Sequence, residues 1–355
     1  MTIKTPEQGA NLHPPNILIT GGSGFLGKAI INELFADDSP LSPSLVRIFD
    51  LSEYKGIAGS HIQWIKGDIR DARQISAACR NMDIIIHTAA IVDWGTRQDQ
   101  EITEVNVAGT ENVIKACLEQ KVKMLIYTSS LDAVFSGTPL INIDETLPYP
   151  GKHPNSYCRS KYQAEKIVLG ANSDELMTCV LRPADIYGEG DPFHIGSLID
   201  MAKGGFYVRF GNGSAKSQHV YVGNIAWAHL LAANALWNGN KAVAGNIFFI
   251  TDSPPVNFFK FYDRFVESAG YRIWPEKLWI PKWLACFLGY LCEIISWIAH
   301  PVKHYTPKLS RFAVLYTCGD FTFGAEKAKK ILGFFPKYNE KISFDKTVEF
   351  FKKVH

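Results

Sequence analysis

The stretch Thr20-Gly21-Gly22-Ser23-Gly24-Phe25-Leu26-Gly27 restricts the fold of this chain more than any other. Before it, Asn16 to Thr20 is short, apolar and β-branched, which reads as a buried strand. After it, Phe25, Leu26, Ala29, Ile30 and Leu34 recur at helical spacing over Phe25 to Phe35. In Gly21-x-x-Gly24-x-x-Gly27 the first glycine permits a tight turn, the second lets backbone approach a pyrophosphate, and the third lets helix pack on strand. Phosphates would rest at the helix N-terminus, where free N–H groups and the dipole favour negative charge. A lone glycine motif is weak, but here Asp50 ends the next strand, Val46 to Phe49, at the spacing of a ribose-binding carboxylate. A carboxylate there accepts from both ribose hydroxyls and repels a 2′-phosphate, so NAD is favoured over NADP. Arg47 lies three residues earlier and points to the opposite face. A strand-ending turn residue is the rival reading of Asp50.

Apolar strands alternate with helices through the first half. Ile62 to Ile65 closes at Gly67-Asp68, Asp71 is placed to cap a helix to Cys79, and Asp83 to His87 is a fourth strand. A long helix over Glu101 to Gln120 leads to a fifth strand, Met124 to Thr128; helix Tyr157 to Leu169 and strand Met177 to Leu181 continue the pattern. Such alternation predicts an α/β fold of Rossmann type, a doubly wound parallel sheet covered on both faces. Residues 1–15 read as a flexible leader and 16–183 as the nucleotide-binding domain. Residues 184–355, richer in glycine and proline, read as a smaller mixed α/β lobe that closes over the sheet's carboxyl edge and forms the substrate pocket. The boundary is soft, because Ile247 to Ile250 looks like a strand that could return to the main sheet.

Tyr157 and Lys161 stand at i and i+4, one above the other on a helix face. A free phenol has a pKa of about 10; bringing it to ~7 means ~4 kcal/mol in favour of the phenolate. A lysine one turn away, helped by an oxidised nicotinamide ring, could supply that. Together with the glycine turn, the pair suggests hydride transfer with tyrosine as proton partner, although Tyr-x-x-x-Lys by itself is common.

With these residues in place the chain resembles an extended short-chain dehydrogenase/reductase, and most closely the 3β-hydroxysteroid dehydrogenase/isomerase family, which includes sterol-4-carboxylate 3-dehydrogenases. The likeness runs over almost the whole length: the glycine turn, Gly67 to Asp71, His87 to Ala90, Val105 to Thr110, Tyr127 to Ser130, Tyr157 to Lys161 with Ala164 to Lys166, Leu181 to Pro183, and Ile186 to Gly190. These mark the superfamily, whereas His219 to His229 looks like the steroid branch. The resemblance implies Tyr157 as proton donor or acceptor, Lys161 on the nicotinamide ribose holding down the tyrosine pKa, and Ser130 on the reacting oxygen, with Ser129 its rival. It implies a cofactor set of Gly21, Gly24, Phe25, Leu26, Gly27, Asp50, Asp68, Ile69, Ala89, Ala90, Pro183 and Ile186. Asn106 joins that set through backbone or water-mediated hydrogen bonds that support the active-site region. It further implies frequent membrane association and leaves a homodimer open. Cys158, about 100° round the helix from the tyrosine, reads as a packing thiol.

Other candidates have plainer readings. His87 reads as a structural residue at the sheet's carboxyl edge rather than a base. His219 and His229 lack carboxylates at metal spacing, so no metal is expected. Glu189 and Asp191 could touch substrate or lie on a solvated glycine loop; Asp93 and Trp94 are better placed to line a pocket, and an incidental loop position serves equally. The net charge of +2 and 20% charged residues give no reason to expect nucleic acid. Seven scattered cysteines with no Cys-x-x-Cys pair suit a reducing, cytoplasmic compartment. Trp283 to Ala299 is apolar except Glu293 and Ser296, and short of the ~20 residues of a span. At 100° per residue, Ala285, Gly289, Cys292, Glu293, Ser296 and Ala299 share one face; Trp283, Phe287, Tyr290, Leu291, Ile294, Trp297 and Ile298 share the other. It is either a core helix or an interfacial one, peripheral on the cytoplasmic face of a membrane, with Lys277, Lys282, Lys303, Lys308 and Arg311 suited to anionic headgroups.

The expectation is an NAD-dependent oxidoreductase that oxidises the 3β-hydroxyl of a sterol-like, apolar substrate. Its rivals are a reductase of β-keto lipids or other bulky ketones, a nucleotide-sugar epimerase or dehydratase, and a non-enzymatic nucleotide-binding protein.

Overall fold

The computed structural model describes residues 13–93, 97–205, 207–275, 278–299 and 309–354. Most of the leader, Trp94, Lys277, Lys303 and Lys308 lie outside them.

Seven strands form the main sheet: β1 (Asn16–Thr20), β2 (Leu45–Asp50), β3 (Ile62–Lys66), β4 (Ile84–His87), β5 (Met124–Thr128), β6 (Met177–Pro183) and β7 (Asn246–Ile250). Their spatial order is β7-β6-β5-β4-β1-β2-β3, and every pair is parallel. The chain steps outward from β1 to β3, then crosses back to lay β4 on the other side of β1. This is the doubly wound Rossmann arrangement, and its crevice opens where the order reverses, at the carboxyl ends of β1 and β4.

Side-chain alternation explains the two covered faces. Ile17 and Ile19 share a core with Ile30 and Ile31 of helix Phe25–Leu34 and with Leu230 and Ala233 of helix Val222–Trp237. Leu18, between them, joins the opposite core with Ile75, Val113, Cys117 and Val168. Both faces being dry, β4 and β5 are buried throughout and read as continuous apolar runs. Asp71 caps its helix as its position suggests, accepting from the backbone N–H of Arg73 at 2.9 Å and of Gln74 at 3.1 Å.

The second half of the chain does not stand apart. Strand β7 pairs with β6 from Asn246 opposite Cys179 to Ile250 opposite Pro183, and Val222–Trp237 covers the sheet beside the glycine-turn helix. What lies over the crevice is a set of short ladders, Asp185–Tyr187 with His219–Tyr221 and Leu140–Ile143 with Phe321–Phe323, and an aromatic core around Phe258, Phe261, Tyr262 and Phe265.

Helix Lys282–Ala299 seats its small face on the body. Ala285 is fully buried, and a Cβ on Gly289 would come within 2.9 Å of the Arg311 backbone N. The exposed side is bulky: Trp283, Phe287, Tyr290, Leu291, Ile295 and Ile298, with Trp283 72% exposed. Ile295 holds the outward position expected of Ile294, which is half-buried. Arg311 is occupied, its Nε donating to Glu293 at 2.7 Å. Among the described residues, no helix is long and apolar enough to cross a membrane.

Candidate active site

One cleft runs from the glycine turn to the start of helix Ser156–Gly170. Its first half is shaped by backbone. Gly21 has φ +72°, and a Cβ there would sit 2.7 Å from the Ala89 amide nitrogen; a Cβ on Gly27 would sit 2.3 Å from the Gly21 carbonyl oxygen. The turn therefore needs glycine twice over, once for its backbone conformation and once for contact. Gly24, Phe25, Leu26, Ile69, Ala89, Ala90, Pro183 and Ile186 line the same cleft.

Asp50 lies beside the turn. Its Oδ2 accepts from the Ser23 backbone N–H at 3.0 Å and its Oδ1 from that of Ser52 at 2.8 Å, which fixes the carboxylate and leaves each oxygen further acceptor capacity toward the cleft. Asp68 is held by Arg70, whose Nε donates at 2.9 Å, and this guanidinium keeps its carboxyl below the ordinary range. A cradle that any Cβ would fill, next to a fixed carboxylate at ribose distance along the chain, fits a dinucleotide.

The second half is built from side chains. Asn155 caps helix Ser156–Gly170, its Oδ1 accepting from the Cys158 N–H at 2.8 Å, and the first turns of that helix carry Tyr157 and Lys161 into the cleft. The two serines after β5 part ways. Ser129 donates to the buried Glu165 at 2.5 Å, within a network holding Arg182 and Tyr149, while Ser130 stays in the cleft and donates to Asp132 Oδ2 at 2.6 Å. Both serines line the cleft, but only the Ser129 hydroxyl is tied into that buried ion-pair network.

The expected lowering of the tyrosine pKa combines Lys161 with an oxidised nicotinamide ring, and the protein's own groups do not supply it. Burial pushes the Tyr157 phenol well above its ordinary value, Asp132 adds to the push, and a hydrogen bond with Ser130 pulls only weakly the other way. Lys161 has one donor committed: its Nζ donates to the Thr128 carbonyl at 3.0 Å, and burial draws it down to about 8 against the pull of Asp132 and Glu165. The tyrosine of this structure is a firmly protonated acid.

Asn106 supports the active-site region through side-chain hydrogen bonds rather than by lining the cleft. It is not among the cleft-lining residues but behind them, on a π-helical turn (Glu104–Ala108) between helices Asp99–Thr103 and Gly109–Glu119. Its side chain accepts from the Ile91 N–H at 2.7 Å and donates to the Ile91 carbonyl at 2.9 Å and to Ser160 Oγ at 3.0 Å. It clamps the loop after β4 to the Tyr157 helix, which is support rather than cofactor contact. The π-turn supplies the local bulge that aims it there.

The histidines are structural in their contacts. His87 is buried between Thr20 Oγ1 at 2.7 Å and Thr110 Oγ1 at 3.0 Å, and burial lowers it to about 3. His229 joins Thr128 Oγ1 at 2.8 Å to the Ile225 carbonyl, and His219 stacks on Phe261 at 3.7 Å. Asp191 is neither on a solvated loop nor in the cleft lining; it is buried and accepts the backbone N–H groups of Phe193, His194 and Ile195. Glu189 accepts from the Tyr221 hydroxyl at 2.8 Å. Asp93 does line the cleft.

Several lining residues carried no usable sequence signal. Asp132, Asp185, His194 and Tyr316 gather at the end beyond Tyr157, with the Tyr316 hydroxyl donating to Asp185 at 2.5 Å. Asp132 alone was within reach of sequence reasoning, two residues after Ser130 in the same turn. Burial raises Asp132 to about 6, and Cys158, a thiol packed in the core, donates to its Oδ1 at 3.8 Å.

Comparison with known proteins gives this geometry a family. Residues 18–278 match the model of the 3-beta hydroxysteroid dehydrogenase/isomerase family. The human 3 beta-hydroxysteroid dehydrogenase type 7 is 33% identical over 353 residues, covering 93% of this chain and 94% of its own. The zebrafish short-chain dehydrogenase/reductase family 42E member 1 is 35% identical over 335 residues, covering 91% and 85%. A Streptomyces venezuelae dTDP-glucose 4,6-dehydratase, solved with NAD and TYD bound, shares the fold at a TM-score of 0.74 and 19% identity over 95% of this chain and 97% of that one. A Thermotoga maritima UDP-glucose 4-epimerase shares it at 0.71 and 20%, over 96% and 99%. Glycine cradle, the Asp50 carboxylate and the Ser130, Tyr157 and Lys161 cluster occupy one cleft in a chain that belongs to the 3-beta hydroxysteroid dehydrogenase/isomerase family.

Proposed function

We propose that this protein is an NAD-dependent dehydrogenase that oxidises a secondary alcohol, the 3β-hydroxyl of a sterol-like substrate, to a ketone. The observation that carries the reading is the convergence of the glycine cradle with Ser130, Tyr157 and Lys161 in one cleft, whose far end is walled by Leu131, Ala184, Phe193 and Phe312. Asp50 and the exposed apolar Leu51 beside it favour NAD over NADP, since neither offers a cation to a 2′-phosphate. NAD held by the glycine cradle would supply the acceptor for the hydride of the carbinol carbon. Tyr157 takes the hydroxyl proton, which requires its raised pKa to fall when cationic charge enters beside it. Lys161, buried and fixed on Thr128, would bind the nicotinamide ribose with its remaining N–H donors, and Ser130 would hold the reacting oxygen. In the opposite direction Tyr157, already protonated, is the acid for a ketone. The buried carboxyl groups Asp132 and Asp185 make this end of the cleft unfavourable for a sugar-nucleotide pyrophosphate, against the epimerase and dehydratase rivals. The test is NADH formation from NAD with a 3β-hydroxysteroid, with UDP-glucose, dTDP-glucose and a β-keto ester as alternatives. Turnover of the steroid is expected; turnover of a nucleotide sugar alone would overturn the reading.

We also propose that the exposed face of helix Lys282–Ala299 rests on a lipid surface, which would spare an apolar substrate passage through water. Six bulky apolar side chains lie along it, and burying them is worth ~25 cal/mol per Å² of apolar area. Replacing Phe287, Leu291 and Ile295 with serine should release the protein from anionic liposomes by at least about tenfold in affinity. Wild-type protein that ignores liposomes in a flotation assay would end this proposal.

A further inference from the structure

Ser130 has one proton and two lone pairs to place. Its O–H is given to Asp132 Oδ2 at 2.6 Å, and its oxygen already accepts the Asp132 backbone N–H at 3.2 Å. No donor is left for the cleft, and the one remaining acceptor site is shared between the Tyr157 phenol, which hydrogen-bonds with Ser130, and any ligand hydroxyl that reaches it. A ketone oxygen has no proton to offer and gains nothing from such a hydroxyl. An alcohol can donate to it.

We infer that Asp132 is a positioning residue that decides whether the Ser130 hydroxyl gives or receives a hydrogen bond at the reacting oxygen, and so biases the cleft between alcohol and ketone. With the carboxylate ionised, Ser130 can only receive. With the carboxyl group protonated, Asp132 donates to Ser130, the Ser130 proton is released toward the cleft, and the ketone gains a donor. The change is one proton on Asp132, with no other bond made or broken.

The groups facing Asp132 place this switch in an accessible range. Burial is the largest influence and raises the carboxyl to about 6; Asp185 pushes in the same direction, while Ser130, Cys158 and Lys161 oppose it. Tyr157 and Tyr316 face it as protonated phenols, each raised in part by its charge. Asp132 therefore changes charge between the acidic and neutral range, where the phenols and Cys158 hold their protons.

The inference rests on the reading that the cleft binds an alcohol and its ketone, and two measurements separate the two ideas. In the first, binding of a 3-keto steroid to the NADH complex and of its 3β-hydroxy counterpart to the NAD complex is titrated from pH 5 to 8. Ketone affinity should fall by roughly tenfold as pH rises through about 6, the scale of one hydrogen bond, while alcohol affinity should not. Asp132→Asn should remove the pH dependence. An unchanged ketone profile in that variant would overturn the inference. In the second, which needs no substrate, the protonated-carboxyl infrared band lost in Asp132→Asn is followed against pH in wild type and in Ser130→Ala. Loss of the serine's hydrogen bond to the ionised form should move the midpoint upward; a midpoint that stays put would show that the two groups are not coupled and would overturn it. Failure of both steroids to bind, with the infrared shift present, would count against the steroid reading and leave the Asp132–Ser130 coupling established.

Discussion

The two ends of the cleft are made in opposite ways. At the glycine turn the surface is main chain and small side chains, drawn mostly from the first ninety residues, and its selectivity is steric: a Cβ at Gly21 or Gly27 would occupy the space. At the Tyr157 end the surface is a crowd of buried titratable groups drawn from residues 132 to 316, in which Asp132, Tyr157 and Asp185 are pushed up and Lys161 is pushed down. His194 belongs to this crowd: burial opposes its charge, but Asp191 and Asp185 prevail and hold it above its ordinary value. The difference separates two jobs. Holding a cofactor needs shape, which a short contiguous segment can encode. Moving a proton needs groups poised near their pKa, which takes a low-dielectric pocket assembled from distant parts of the chain.

This contrast can be broken by substitutions at either end. The largest effect is expected at Tyr157. Tyr157→Phe should cut turnover at least ~10²-fold, the scale of losing a general acid or base, while NADH affinity by fluorescence titration stays within a few-fold. Near-normal turnover would take the tyrosine out of the mechanism. Gly27→Ala should do the reverse. The added Cβ, 2.3 Å from the Gly21 oxygen, forces turn and helix apart, costing about 1–3 kcal/mol and at least tenfold in NADH affinity. Turnover extrapolated to saturating cofactor should fall much less, and an unaltered dissociation constant would show that the cradle is not where the phosphates rest. The smallest effect is at Asp50. Wild type should prefer NADH to NADPH, and Asp50→Ala should narrow that preference by removing repulsion of the 2′-phosphate. A wild-type preference for NADPH would reverse the cofactor assignment.

The same contrast explains what could be read before the structure. The main sheet was legible because strands buried on both faces are unbroken apolar runs, and the glycine turn fixed which of them begins the fold. The glycine end was legible for the same local reason. Tyr157, Lys161 and Ser130 could be placed from the motifs that carry them, but not their state. Nothing in Tyr157-x-x-x-Lys161 tells that Lys161 is tied to Thr128 or that burial pushes the phenol up. Asp185, His194 and Tyr316 were hidden because their meeting depends on how residues 184 to 316 fold back over the crevice. Asn106 was legible as a support of the active-site region, but not its partners Ile91 and Ser160, since the π-turn that points it at them has no composition of its own. On helix Lys282–Ala299 the two faces followed from 100° spacing, but the exchange of Ile294 for Ile295 and the pairing of Arg311 with Glu293 needed the helix's rotation against its neighbours.

Strand β7 has a consequence for how the molecule is made. The outer edge of β6 finds its partner only when residues 246 to 250 arrive, more than sixty positions later. Until then a nascent chain carries an apolar strand with an open row of backbone donors and acceptors, a template for pairing with other chains. Helix Val222–Trp237, which covers part of one face, also comes after the sheet's first six strands have been synthesised. Parallel pairing at such separation is slow because loop closure precedes its reward. Chain stopped near residue 183 should therefore aggregate rather than fold, and the interval before β7 docks is when a chaperone has most to protect.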